Sequence, residues 1–495
     1  MMGKGLVQAL HGGLRLEVCI LGGGVLAACS LGPAYRQPVN PAPTVWVTPV
    51  ARAGPGESAS AKPVANWPRA AWWRGFGSAQ LDTYIADAQA NNNDISVAIA
   101  QVREADAEAR IAGAPLLPSL ALQASANRQK SFSPFSGSSG TLHDEYTPTL
   151  TASYELDFWG ENRATRAAAL AAARASRYAR DTVALTVVSS VALTYFETLE
   201  LHDRLQVARN NLSNAQHVLD GLQFEARVGT ATALDVAQQA ATVGVLNAAI
   251  PPLRQQLRVA SDALAILIGR APESVTVAGG SLADIAEPVV YPGLPSALLV
   301  RRPDVAQAEE QLRAANANIA VARAAIFPSV TLTADGGFAS GVVATVLSPA
   351  SRVYGLTAAL AQDVFEGGKL LGAYEYNKAR YGELLADYRK TVLTAFSNVE
   401  DALVSLRQTA EQQRREQVAV DTARRAFAFA QLQMRAGVAN VLTVLNTETA
   451  LFTAQDTLVQ IKYAHLQALV DLYQALGGGW SRSAPGAFPA PGKRS

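Results

Sequence analysis

The segment "TLTASYELDF", Thr149 to Phe158, alternates strictly: Leu150, Ala152, Tyr154, Leu156 and Phe158 fall between Thr151, Ser153, Glu155 and Asp157. Successive side chains of a strand point to opposite faces, so this pattern predicts a strand with one apolar and one polar side. A less regular version follows at Tyr354, Leu356, Ala358 and Leu360. Partner strands precede each, where Leu120, Leu122 and Ala124 answer Val330, Leu332 and Ala334. The expected strands are 119–128, 147–158, 329–338 and 353–364, two hairpins around Gly- and Ser-rich loops.

The two hairpins are copies. "LLPSLALQ" (116–123) and "IFPSVTLT" (326–333) share Pro and Ser in register, and Asp94, Gln101, Arg103, Ala105 and Ala107 match Asp304, Gln311, Arg313, Ala315 and Ala317 at the same offset. So long a period means two structural halves rather than a solenoid. Each half opens with an Ala-rich helix started by Asp94 or Asp304. Gly113 and Pro115 weaken the end of the first helix, and its second copy carries no such breaker.

After each hairpin comes a long stretch without Gly or Pro, 161–220 and 383–436. The roughly 65 residues between Gly160 and Gly229 would reach on the order of 100 Å as one helix, longer than any bilayer is thick. Arg163, Arg166, Arg174, Arg177, Arg180 and Asp181 make the first stretch read as too polar for a membrane span, so these helices should pack side by side in water. Each reverses at a glycine, in "RVGTATALD" (227–235) and "RAGVANVLTVLN" (435–446). Pro251 and Pro252 should break the first return helix, whereas the second runs on.

Strands of about 10 residues with a dyad repeat suit an outer-membrane wall; a half-buried soluble hairpin has the same pattern and is commoner. Four strands cannot close a channel-bearing barrel, and an open edge is forbidden in lipid. Strands of this kind in lipid therefore require several chains to share one barrel.

At the amino terminus, Lys4 and Arg15 precede a short apolar run, Val18 to Ala28, ending in "LAAC" (26–29). Its length fits a signal peptide and falls short of a bilayer span. The small residues before Cys29 are similar to a bacterial lipobox, which would make residues 1–28 a signal peptide and Cys29 the lipidation site. The other cysteine, Cys19, would leave with the signal, so the mature chain would hold no disulfide. Residues 29–66, rich in Pro, Gly and Ser, read as an extended tether. Trp67, Trp72, Trp73 and Phe76 follow within ten residues. Such a cluster suits either a ligand site or a packing anchor, and packing is the expectation.

A net charge of +1 and the lack of a basic, aromatic-laced stripe argue against nucleic acid. The five histidines are scattered, none with metal-ligand spacing, and no nucleophile elbow or phosphate loop stands out. No catalytic residue, metal or cofactor is expected.

"YPGLPSALLVRRPDVAQAEEQLRAANANIAVARAAIFPSVTLT" (291–333), "LGPAYRQP" (31–38) and "ALGGGW" (475–480) together resemble the outer membrane factors, the TolC-like exit ducts of tripartite efflux pumps, and within them the NodT-type lipoproteins. The resemblance covers almost the whole chain. It implies a mainly α fold with a small β part: a homotrimer whose four strands per chain form a twelve-stranded barrel in outer-membrane lipid, continued by a periplasmic helical barrel. The expected divisions are a first repeat at 67–270, an equatorial linker at 271–293, a second repeat at 294–479 and a tail at 480–495.

The implied partners are a periplasmic adaptor (membrane fusion protein) and an inner-membrane transporter of the resistance-nodulation-division type. The implied function is passive, gated export of small molecules; a type I protein-secretion duct and a lipid-anchored coiled-coil scaffold are the alternatives. Carried over residue by residue, the resemblance places a periplasmic gate at Leu442, Asn446 and Thr443, with Asp235 from the first copy. It places adaptor docking at Arg227, Gly229, Arg435 and Gly437. Many relatives hold aspartate where this chain has Asn446, so a ring of Asn446 would keep hydrogen bonding without charge. Leu442 reads equally as a packing leucine, and the glycines as ordinary turn residues.

Overall fold

The computed structural model describes residues 32–39, 43, 45–48, 68–131, 141–275, 277, 279–290, 293 and 295–482. The expected signal peptide, Cys29, Trp67 and most of the tether lie outside them. The helices are α1 (Ala79–Asn91), α2 (Asn93–Gly113), α3 (Glu161–Arg227), α4 (Ala233–Ala248), α5 (Ile250–Leu267), α6 (Pro303–Ala324), α7 (Lys369–Arg435) and α8 (Val441–Ala475). The strands are β1 (Ser119–Ser131), β2 (Thr141–Glu155), β3 (Ser329–Phe338) and β4 (Arg352–Ala361). The chain divides into two compact units: 1–38, 102–176 and 308–388 form the first, and the remainder forms the second. Each unit draws on both sequence copies.

The first unit holds one antiparallel sheet in the order β1-β2-β3-β4. Leu122 lies opposite Leu150, Tyr154 opposite Leu332, and Ala334 opposite Leu356. In every pair the partners are both odd or both even, so even-numbered positions share one face across all four strands. That face carries Leu120, Leu122, Leu150, Ala152, Leu332, Leu356 and Leu360. The opposite face carries Gln123, Thr149, Thr151, Ser153, Thr333 and Thr357. Leu122 is 77% exposed and Leu356 82% exposed, an apolar surface that none of the described residues covers.

Several strand limits differ from expectation: β1 runs on to Ser131 rather than 128, β2 starts at Thr141 rather than 147, and two strands stop early. β2 ends at Glu155 rather than 158, because Asp157 leaves the sheet to cap α3: its carboxylate accepts from the backbone amides of Asn162 and Arg163, both at 3.0 Å. β4 ends at Ala361 rather than 364, ahead of the turn at Gly367 and Gly368, whose φ values are +60° and +88°.

In the same unit, residues 32–38 lie along α6. Asn316 donates to the carbonyl of Pro33 at 2.9 Å, and the Arg313 guanidinium stands 4.7 Å from the centre of the Tyr35 ring. A Cβ on Gly32 would come within 2.3 Å of the Ala320 Cβ, so only glycine permits this approach.

In the second unit the aromatic cluster is a packing anchor. Trp72, Trp73 and Phe76 are buried; Trp72 stacks on Tyr473 at 4.8 Å, and Phe76 packs edge-on to Phe196 at 5.0 Å. Buried Trp480 donates from Nε1 to Asp181 at 2.9 Å. The first return does break near its prolines: α4 stops at Ala248, and α5 restarts with Pro251 and Pro252 in its first turn, where their missing N–H groups cost nothing. The second return, α8, is unbroken.

Two expectations about the long helices need amending. α7 begins at Lys369 and runs through Gly372 and Gly382, since an internal glycine costs only about 1 kcal/mol and the rest of a 67-residue helix carries it. α3 does contain an 18-residue window apolar enough to cross a membrane, but 61% of that window is buried inside the protein, as for a core helix.

Candidate gate and docking site at the helix turns

Both turns that reverse the long helices lie in the second unit, and both are built alike. α3 ends at Arg227; Gly229 takes φ +83°, donates to Ala226 O at 3.2 Å, and is followed by Thr230 donating to Glu225 O at 2.9 Å. α7 ends at Arg435; Gly437 takes φ +71°, donates to Met434 O at 2.9 Å, and Val438 donates to Gln433 O at 2.9 Å. This left-handed glycine cap satisfies the last carbonyls of each helix.

The return helices start on matching caps. Thr232 Oγ1 accepts from the Asp235 amide at 3.2 Å, while the Asp235 carboxylate accepts from the Thr232 amide at 2.9 Å and its hydroxyl at 2.6 Å. Asn440 Oδ1 accepts from the Thr443 amide at 3.0 Å and its hydroxyl at 2.9 Å. Asp235 and Thr443 thus occupy the same capping position, three residues into their helices. The Thr232 hydrogen bonds hold the Asp235 carboxyl below its ordinary pKa.

Below the caps, the four helix ends close on apolar side chains. Leu222 of α3 packs with Val441 and Leu445 of α8, and Phe427 and Ala430 of α7 with Val444, Leu451 and Phe452. Burying Val441, Val444 and Leu445 turns the other face of α8 outward. Leu442, 52% exposed, and Asn446, also exposed, sit one turn apart on that outer face. Leu442 is therefore not a core leucine within the chain.

The turn register pairs Gly229 with Gly437, so the first-copy counterpart of Leu442 is Leu234, which is 64% exposed, and that of Asn446 is Gln238. Sequence reading selected Asp235 instead; counting outward from the two glycines would have found Leu234. The docking candidates Arg227, Gly229, Arg435 and Gly437 are all exposed, with Arg227 5.9 Å from the Phe224 ring centre. Between them stand Val228 and Val438, 60% and 78% exposed, apolar tips that the sequence reading passed over. Among the described residues no group of three or more His, Cys, Asp or Glu is placed to hold a metal ion.

A family model described as "Outer membrane efflux protein" matches residues 84–270 and again 294–478. The chain belongs to the outer membrane efflux protein family. It is 40% identical over 477 residues to the pyoverdine export outer membrane protein OpmQ of Pseudomonas aeruginosa, covering 95% of this chain and 97% of that one. It is 30% identical over 467 residues to the cation efflux system protein CusC of Escherichia coli, covering 92% and 97%. Among solved structures, the outer-membrane channel OprN superposes with a TM-score of 0.84 at 25% identity, covering 91% of this chain and all of that one. CusC superposes at 0.80 and 27%, again covering 91% and 100%. The fold class is accordingly that of the trimeric outer membrane efflux channels, and the chain is an efflux duct of a tripartite pump.

Proposed function

We propose that this duct conducts small molecules passively and is gated at the helix turns, with Leu442 and Asn446 forming the constriction, Leu234 and Gln238 their first-copy counterparts, and Thr443 and Asp235 holding the caps beneath. The observation that carries this is the outward face of α8: Leu442 and Asn446 stand free of the chain's own core, available to copies of themselves around a threefold axis. Three Leu442 side chains would close a narrow bore by apolar contact. Three Asn446 amides would line it with uncharged hydrogen-bonding groups, favouring no ion by charge.

The sheet supports a shared barrel. One face is apolar and exposed from Leu120 to Ala126 and at the residues paired with them, with Arg128, Lys130 and Asp144 at its far end; the other is Ser- and Thr-rich, and among the described residues β1 and β4 each have one unpaired edge. Three such sheets joined edge to edge close the ring that lipid requires. An adaptor would meet the turns around Arg227, Gly229, Arg435 and Gly437, where Val228 and Val438 offer apolar tips, and an inner-membrane transporter of the resistance-nodulation-division type would supply energy. Cys29 would carry the lipid anchor in the outer membrane.

Small-molecule cargo is favoured over protein secretion by the relatives' names. At 30 to 40% identity they include exporters of pyoverdine, of toluene and of cations. So wide a spread of cargo across related ducts supports selection upstream, in the transporter. The test is fractionation: the protein extracted from outer membranes should run as a heat-labile trimer, take up labelled palmitate only when Cys29 is intact, and restore dye efflux to a strain lacking its ducts. A monomer recovered from the soluble periplasmic fraction would instead revive the scaffold reading.

A further inference from the structure

Two residues beyond Asn446, a rotation of about 200° around α8, Glu448 points the opposite way. It is 0% exposed, and so is Gln239 of α4, which faces it. Gln239 Nε2 donates to the backbone carbonyl of Ala215 in α3 at 2.9 Å and reaches Glu448 Oε2 at 3.5 Å. That uses both amide hydrogens. The remaining oxygens, Gln239 Oε1 and Glu448 Oε1, are fully buried and have no hydrogen-bond partner among the described residues.

Both orphaned atoms are acceptors when the carboxyl is ionised, and what they lack is a donor. One proton on Glu448 supplies it: the acid becomes a donor to its neighbour and the buried charge disappears. An ionised carboxylate left unpaired at this depth would cost far more than a satisfied neutral acid. Among the described residues no cation compensates it. On the surrounding helices His217 and Asp220 of α3 and Asp421, Arg424, Arg425 and Arg435 of α7 are exposed, and Asp235 of α4 is held in its cap by Thr232. Only burial and the Gln239 hydrogen bond act on the carboxyl; burial is the larger and pushes its pKa up to about 7.

We propose that Glu448 and Gln239 form a proton-binding latch between the two return helices: the proton holds α4 to α8, and its loss loosens the turn that carries Leu442 and Asn446. The effect on conduction rests on the gate reading above; the proton site itself does not.

Two readouts separate them. Infrared difference spectra of the purified trimer between about pH 5 and about pH 9 should show a protonated-carboxyl band titrating near neutrality, well above ordinary carboxylates. Glu448→Gln should remove that band, and Gln239→Leu, which removes the bond that lowers the pKa, should move its midpoint to higher pH. In planar bilayers, wild-type conductance should rise several-fold as pH passes through neutrality, while Glu448→Gln stays at the low-pH value throughout. A band that is absent, or that survives in Glu448→Gln, overturns the proton site. A titrating band with wild-type conductance flat across the range overturns the coupling to the gate. Failure of the duct reading looks different again, since no variant would then conduct at any pH.

Discussion

Asn440 Oδ1 accepts from both the amide and the hydroxyl of Thr443, at 3.0 and 2.9 Å, so one side chain fixes the first turn of α8 and with it the direction of Leu442. Removing it with Asn440→Ala should cost about 1 kcal/mol locally. Channel leak should rise while trimer yield is unchanged, and hydrogen exchange at 441–446 should speed up. An unchanged exchange rate there would mean that the cap does not organise the turn.

The first-copy cap carries a pH signature. Thr232 holds the Asp235 carboxyl below its ordinary pKa of 3.8, so its contribution is complete above that value and is lost as pH falls through the lower folded value. Asp235→Asn should remove the acid sensitivity of local exchange around 232–236 and leave neutral-pH conductance nearly as it was. A large rise in conductance would make Asp235 a gate residue in its own right.

Glu448 carries the opposite sign. Its folded pKa is raised from 4.5 to about 7, so the stabilisation from burying the neutral acid is fully present below about 4.5, falls between those values, and is gone above about 7. Thermal unfolding of the helical part should therefore lose stability across that window in wild type, and that loss should vanish in Glu448→Gln.

The parity of the sheet gives a test in lipid. Leu122 lies on the apolar face and Gln123 on the polar one. Leu122→Arg should cost about 2 to 4 kcal/mol and reduce insertion, whereas Gln123→Arg should insert normally and alter only ion preference. Equal tolerance at both positions would mean that the even-numbered face does not meet lipid.

Much of this fold is readable from local pattern. The two-residue period located the strands, the long stretches free of Gly and Pro located α3 and α7, and Pro251 with Pro252 located the break between α4 and α5. What stayed hidden depends on distant partners. The pairing of β2 with β3, which merges two hairpins into one sheet, joins segments nearly two hundred residues apart and leaves no local trace. The apolar window of α3 could be told from a membrane span only by what covers it.

At the turns, the sequence supplied the glycines and with them the register, but not which residues the helix caps engage. The family resemblance put Asp235 at the gate, yet its position three residues past Thr232 engages it in the cap. No motif marks Glu448; only its burial against Gln239 sets it apart.

The most direct test of the gate is single-channel conductance in planar bilayers, wild type beside the double variant Leu442→Ala with Asn446→Ala. A constriction at Leu442 and Asn446 predicts a nearly closed wild type and a strongly conducting variant. If both are silent although inserted as trimers, Leu442 and Asn446 are not the constriction and the account is wrong about where the duct closes.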